Sequence, residues 1–218
     1  MELLETCTSG NHNDVEEALA KNCDVEIKNE DRWTPLIVAA SFTFDRDVEV
    51  LLHYGANIDA RTPRGSSALN VATSKGYLEA ARILLAASAS IDIPGYDNYT
   101  PLLAAAFNGH LITVELLIQH KATIDLPAAN GCTALGIACD HGENEIASML
   151  LNAGVKVDYL GNHGWSPLCS ALKGHEFIVN TKGYGGATAL RIAAEHGNFE
   201  VVRMLVEAGA LLNEPRDD

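Results

Sequence analysis

The residues best suited to chemistry in this 218-residue chain gather in its second half. Cys132, Cys139 and His141 place two thiols and an imidazole within ten residues of one another. These are zinc-ligand types, but the spacing Cys-x6-Cys-x-His matches no standard zinc pattern. Asp140 and His141 suggest a second chemistry, with Cys132 as a thiol nucleophile and His141 as its base. Such a nucleophile also needs an oxyanion hole and a pocket, and nothing in the flanking residues signals either. The run Gly183-Tyr184-Gly185-Gly186 invites comparison with a phosphate-binding loop. It follows no clear strand and lacks the Lys-Ser/Thr pair that holds phosphates, so it reads as a turn. Of the eight histidines, His110, His141 and His196 fall in one recurring turn and His53 and His120 near helix ends, which suits structural or surface roles. No catalytic, cofactor or metal site is expected, and the chain reads as a non-enzyme.

Composition narrows the partners. There are 15 Lys+Arg against 29 Asp+Glu, a net charge of −14. Residues 1–109 carry 8 basic and 16 acidic side chains and residues 110–218 carry 7 and 13, so neither half hides a basic patch. A negative surface repels phosphate backbones and anionic headgroups, which argues against nucleic acid. At 47% hydrophobic residues the chain can bury a core and is not disordered. No apolar run approaches the ~20 residues of a membrane span, so no membrane insertion is expected. Met1-Glu-Leu-Leu-Glu5 is acidic and lacks the basic start and apolar core of a secretory signal. Five cysteines, an odd number, suit free thiols in a reducing compartment. A soluble intracellular protein, cytoplasmic or nuclear, is the expectation.

These side chains are positioned by a repeat. Thr34-Pro-Leu-Ile-Val-Ala-Ala40 recurs at Ser67-Ala-Leu, Thr100-Pro-Leu, Thr133-Ala-Leu and Ser166-Pro-Leu, each 33 residues on, and at Thr188-Ala-Leu after only 22. The third position is always Leu (36, 69, 102, 135, 168, 190) and the sixth always Ala (39, 72, 105, 138, 171, 193). Thr or Ser can cap a helix, Pro is tolerated in its first turn, and Leu and Ala three apart share one face. Cys139 falls at an Ala position of this frame and should be core. A second apolar run such as Val114-Glu-Leu-Leu-Ile118 follows, ending in places at a Gly (55, 154) suited to a left-handed cap. A short phrase such as Asn57-Ile-Asp59 and a turn then lead to the next Thr or Ser, with Gly two residues before it at 65, 131, 164 and 186.

The pattern resembles the ankyrin repeat, and the resemblance covers nearly the whole chain. It implies an all-α solenoid of stacked helix-turn-helix units with short β-hairpin fingers. One domain over 1–218 is expected: an N-terminal capping repeat at 1–29, full repeats at 30–62, 63–95, 96–128 and 129–161, a shortened repeat at 162–183, and the last repeat and tail at 184–218. That makes six full repeats and one shortened by 11 residues.

Three departures from the family stand out. Ankyrin repeats commonly carry a His at the fourth position of the phrase, which ties neighbouring repeats together. Here that position holds Ile37, Asn70, Leu103, Gly136, Cys169 and Arg191, so the inter-repeat bond is expected to be missing throughout. Between Ser166 and Thr188 either the second helix is lost, or it survives as a short Glu176–Lys182 segment followed by a finger shrunk to 184–187; the glycines at 183, 185 and 186 favour the latter. The last helix keeps Val201, Val202, Leu205 and Val206 with no polar cap after it, which suggests a fragment or an end that self-associates.

For function the resemblance implies a protein-interaction scaffold, with contacts on the concave face lined by fingertips and first helices. Those positions lie one, three and four residues before each Thr or Ser and seven and eight after it. They yield Trp33, Phe42, Tyr96, Asp97, Tyr99, Phe107, Asp140, His141, His163 and Trp165 as expected protein-binding residues, with Asp31, Arg64, Asn130, Asn108, Tyr184 and His196 nearby. Both tryptophans of the chain fall at the position one before. Exposed aromatics among polar groups are common interface anchors. Asp31, Asp97 and Asp140 favour a basic protein or peptide. The alternative is a regulatory repeat region of a larger enzyme or channel.

Overall fold

A computed structural model describes residues 2–141 and 143–155, apart from the side chains of Glu2, Cys139 and Asp140. The repeats expected at 162–183 and 184–218, with His163 and Trp165, lie outside the described residues. Two compact units divide the chain, Met1–Ala122 and Thr123–Asp218. In the first, α1 (Glu2–Ser9) pairs with α2 (His12–Ala20), α3 (Pro35–Ala40) with α4 (Asp45–His53), α5 (Ala68–Lys75) with α6 (Leu78–Ala86), and α7 (Pro101–Phe107) with α8 (Leu111–Gln119). The first helices α1, α3, α5 and α7 form one row and the second helices α2, α4, α6 and α8 another. The second unit is described through a further packed pair, α9 (Ala134–His141) and α10 (Asn144–Asn152). This is a helical repeat solenoid.

Each first helix starts where the recurring hydroxyl can cap it. The side chains of Thr34, Ser67, Thr100 and Thr133 accept the N–H three residues on, at 3.5, 3.3, 3.3 and 3.4 Å. Pro35 and Pro101 occupy the first turn, where a missing N–H costs nothing. These helices have six to eight residues, too few to hold in water alone. Burial against neighbours supplies the difference. Leu36, Leu69 and Leu102 are wholly buried, and Ala39, Ala72 and Ala105 let adjacent helices approach closely. Each such Leu contributes about 2 kcal/mol relative to an exposed one.

The backbone repeats as faithfully as the core. With one exception, Asp97, every residue with positive φ among those described falls in one of three columns spaced by 33 or 66 residues. Gly10, Gly76 and Gly109 end first helices, Asn22, Gly55, Ser88, Lys121 and Gly154 follow second helices, and Arg32, Gly65, Asn98 and Gly131 sit at turn tips. At Gly10 and Gly76 close approach to a ring adds to the requirement. A Cβ on Gly76 would lie 2.7 Å from the His110 ring, and one on Gly10 2.8 Å from Phe44. His110 uses that space to donate from Nε2 to the Ser74 carbonyl at 3.1 Å, joining the start of α8 to the end of α5.

Between repeats the chain makes a tight turn, and one of its closing bonds recurs at each 33-residue step. Asn29, Thr62, Gly95 and Ala128 donate their N–H to the carbonyls of Trp33, Ser66, Tyr99 and Cys132 at 2.8–3.1 Å. With a single cross-turn bond of this kind, none extends into a strand among the described residues. Carboxylates stitch one turn region to the next: Glu26 accepts the Asn57 N–H at 2.7 Å, and Asp59 accepts both the Ser90 N–H and its hydroxyl. Arg61 adds a tie by donating to the carbonyls of Gly65 and Pro94.

One expectation is corrected here. The inter-repeat bond is not missing throughout, because Asn70 makes it with an amide. Its Nδ2 donates to the carbonyls of Ile93 and Tyr99, both at 3.1 Å, and its Oδ1 accepts the Ser67 N–H at 2.9 Å. An amide carries donors and an acceptor together, so one buried side chain both caps α5 and holds the next turn. At the equivalent position Ile37 and Leu103 are buried as plain core.

A buried polar cluster joins the first two pairs. Asp47, in the first turn of α4, is wholly buried; its Oδ1 accepts from Nδ1 of the half-exposed His12 at 2.7 Å, and its Oδ2 has no partner among the described residues. The same column holds Ala80, Thr113 and Ile146, all buried. Burial, and secondarily the Asp47 charge, push the Cys7 thiol up to about 12.

Two measurements follow from these contacts. Asn70→Ala should lower stability by about 1–3 kcal/mol in urea unfolding, since it removes the buried amide that bonds both the start of α5 and the next turn. For Cys7 the folded value lies above the unfolded value of 9.0, so its contribution is complete below pH 9 and is lost as pH rises toward 12. The loss should run at about 1.4 kcal/mol per pH unit and be absent in Cys7→Ala, as read by unfolding at pH 8, 9 and 10.

Candidate interaction face

The turn tips and the ends of α5 and α7 bring side chains of distant sequence together in the first unit. Two open clefts adjoin there, of about 690 and 400 Å³. They share Ser66, Asn70, Ser74 and Tyr96. Asn70 is the reason the floor is fixed, because its bonds lock α5 to the turn that carries Tyr96 and Tyr99.

The larger cleft is lined by Trp33, Arg32, Arg64, Lys75 and Tyr96, with Glu30 and Asp31 on the first turn. The Arg64 guanidinium lies 5.3 Å from the Tyr96 ring centroid, a cation–π arrangement that holds both side chains in place. The smaller cleft is lined by Tyr96, Asp97, Tyr99, Phe107 and Asn108. Tyr99 and Phe107 meet edge-on, with centroids 5.7 Å apart and planes at 84°. Asn108 bridges the helix ends, donating to the Ala104 carbonyl at 2.8 Å and to the Ser74 hydroxyl at 3.4 Å. Tyr96 is 57% exposed and Phe107 46%, large fractions for rings of this size.

The expected contact residues therefore divide. Trp33, Tyr96, Asp97, Tyr99 and Phe107 converge on the two clefts, with Tyr96 common to both. Phe42 stacks on Phe44 at 5.4 Å and 17° and lines neither cleft. His141 ends α9 in the second unit, exposed, with Nδ1 donating to the Ile137 carbonyl at 3.1 Å. The Asp140 side chain, His163 and Trp165 lie outside the described residues. Sequence reasoning passed over Ser74 and Lys75, although they stand seven and eight residues after Ser67; a search for aromatic and acidic groups hid them. It passed over Arg32 as well, whose signal was a bulky residue at a tip where Gly65 and Gly131 stand in other repeats.

Among the described residues, no three His, Cys, Asp or Glu side chains converge as a metal site, and no helix is long and apolar enough to cross a membrane. A model of three ankyrin repeats matches residues 3–94 and again residues 91–160, and a single-repeat model matches residues 185–217. The chain belongs to the ankyrin-repeat family. Residues 161–184, where the shortened repeat is expected, lie between the matches. No curated protein matches this ankyrin-repeat chain as a relative. Ankyrin repeats are generally protein–protein interaction modules, and the family is typically non-catalytic.

Because the rings and cations of this face project from an already satisfied backbone, removing them should leave the ankyrin fold intact. Single alanines at Tyr96, Arg64, Lys75 and Phe107 should each shift stability by under about 1 kcal/mol in urea unfolding.

Proposed function

We propose that this chain is a non-enzymatic scaffold that binds a protein partner on its concave face, formed by the turn tips and first helices. The observation that carries the reading is the convergence of Trp33, Tyr96, Tyr99 and Phe107 around two adjoining clefts, with Tyr96 and Phe107 exposed. Exposed rings held by neighbours lose little freedom on binding and commonly anchor interfaces, where truncating one costs about 2 kcal/mol or more. The tips act as the fingers of the repeat, and the chain is one domain of six full repeats and one shortened repeat. Asp31 lines the larger cleft and Asp97 the smaller.

Affinity capture from cell lysate, read by mass spectrometry, tests the reading. The Tyr96→Ala, Phe107→Ala double variant should lose a partner that the parent chain retains, with helical circular dichroism unchanged. Ile112→Ala, which removes an exposed side chain from α8 in the row of second helices, should keep it. Capture that survives the double variant refutes the concave-face reading.

A further inference from the structure

The cations of this acidic chain are not distributed evenly in their pairing. On the second helices they are neutralised within their own helix. Lys21 pairs with Glu17 at 2.8 Å, Arg46 with Glu49 at 3.2 Å and Arg82 with Glu79 at 3.4 Å. In the larger cleft three cations come together, Arg32, Arg64 and Lys75, and among the described residues none of them has an ion pair. They come from three places in the sequence: one turn tip, the next, and the last turn of α5.

Arg64 is held by Tyr96 rather than by a carboxylate. A guanidinium whose face rests on a ring keeps its N–H edge available, and that edge matches a carboxylate bidentately. Ser66 and Ser74 add hydroxyl donors on the shared floor. Arg32 occupies a left-handed position, φ +60°, that the tips at 65 and 131 fill with Gly. Glu30 and Asp31 stand on that same first turn, whereas the 62–66 turn that bears Arg64 and the helix α5 that bears Lys75 carry no carboxylate of their own.

We infer that the larger cleft takes an extended acidic segment of a protein partner, in which an Asp or Glu side chain meets Arg64 and Lys75 while an adjacent apolar or aromatic side chain rests between Trp33 and Tyr96. This rests on the concave-face reading and deepens it by naming the chemistry of the occupant. It reverses the preference that the net charge and Asp31, Asp97 and Asp140 alone suggested. A basic segment would bring its ammonium or guanidinium groups against Arg64 and Lys75, and like-charge juxtaposition across an interface is disfavoured. Part of the acid excess, in the Glu26 and Asp59 ties and the second-helix ion pairs, is engaged outside the cleft, whose own carboxylates are Glu30 and Asp31.

The test uses the full chain, immobilised, and three pools of synthetic 12-residue peptides. All pools share the same aromatic and aliphatic content, and their polar positions are drawn from Asp/Glu, from Lys/Arg or from Ser/Gln. The acidic pool should be enriched over the basic pool by about tenfold or more, a difference of about 1.4 kcal/mol. An acidic peptide so selected should lose about tenfold or more in affinity on Arg64→Glu, Lys75→Glu, and be unaffected by Arg46→Glu on α4. Preferential enrichment of the basic or neutral pool, or retention of no pool, overturns the inference. A selected peptide that is lost on Tyr96→Ala, Phe107→Ala but indifferent to the charge reversal overturns the acidic specificity and leaves the concave face standing. One indifferent to both pairs of substitutions overturns the concave-face reading as well.

Discussion

Every described helix is too short to stand alone, and this limitation organises the molecule. A six- to nine-residue helix forms only if its apolar face is covered, and the only cover available to one repeat is the next. The invariant Leu supplies the buried area and the invariant Ala the close approach, so the row of first helices is continuous through the first unit. Tight turns, carboxylate ties and the Asn70 amide then govern how neighbouring repeats register against one another. The clefts depend on that register, because their walls come from three successive turns.

Much of this was legible because repetition multiplies weak signals. One Thr-Pro-Leu phrase is an ordinary helix start; six such phrases in register mark the helix starts at Thr34, Ser67, Thr100 and Thr133. The aromatic side of the face was legible for the same reason, since Trp33 and Tyr99 share one position and Tyr96 stands beside them. What escaped was whatever depends on a single side chain reaching across repeats. Asn70 differs from the family's His at its position, and only its geometry reveals that an amide can span the same gap. Asp47 stands in a column whose later members Ala80, Thr113 and Ile146 are uncharged and whose earlier member Asp14 is exposed, and nothing in its local sequence announces burial beside His12 and Cys7. Ser74 and Lys75 lay at the right register but carried residue types that a search for rings and acids passes over.

Net charge proved a poor guide to local charge. Part of the acid excess is structural: Glu26 and Asp59 accept backbone N–H groups of the following repeat, and glutamates on α2, α4 and α6 neutralise cations of their own helices. Carboxylates engaged in this way are not arrayed for a partner. Three of the cations without an ion pair among the described residues, Arg32, Arg64 and Lys75, line one cleft, so an acidic protein presents a basic spot inside the proposed binding face. Screening over about 8–10 Å at physiological salt keeps such a local arrangement distinct from the overall field.

The three columns of left-handed backbone have an architectural consequence. Because Asn22, Gly55, Ser88, Lys121 and Gly154 share one conformation despite five positions and four residue types, the path of the chain at that point is dictated by place in the stack and not by side chain. A join made there is the same join in every repeat. The fold can therefore be lengthened or shortened in whole cassettes without rerouting the backbone, and each added cassette brings one more tip whose residue, glycine or a larger side chain such as Arg32, decides whether the groove beside it is left open or furnished.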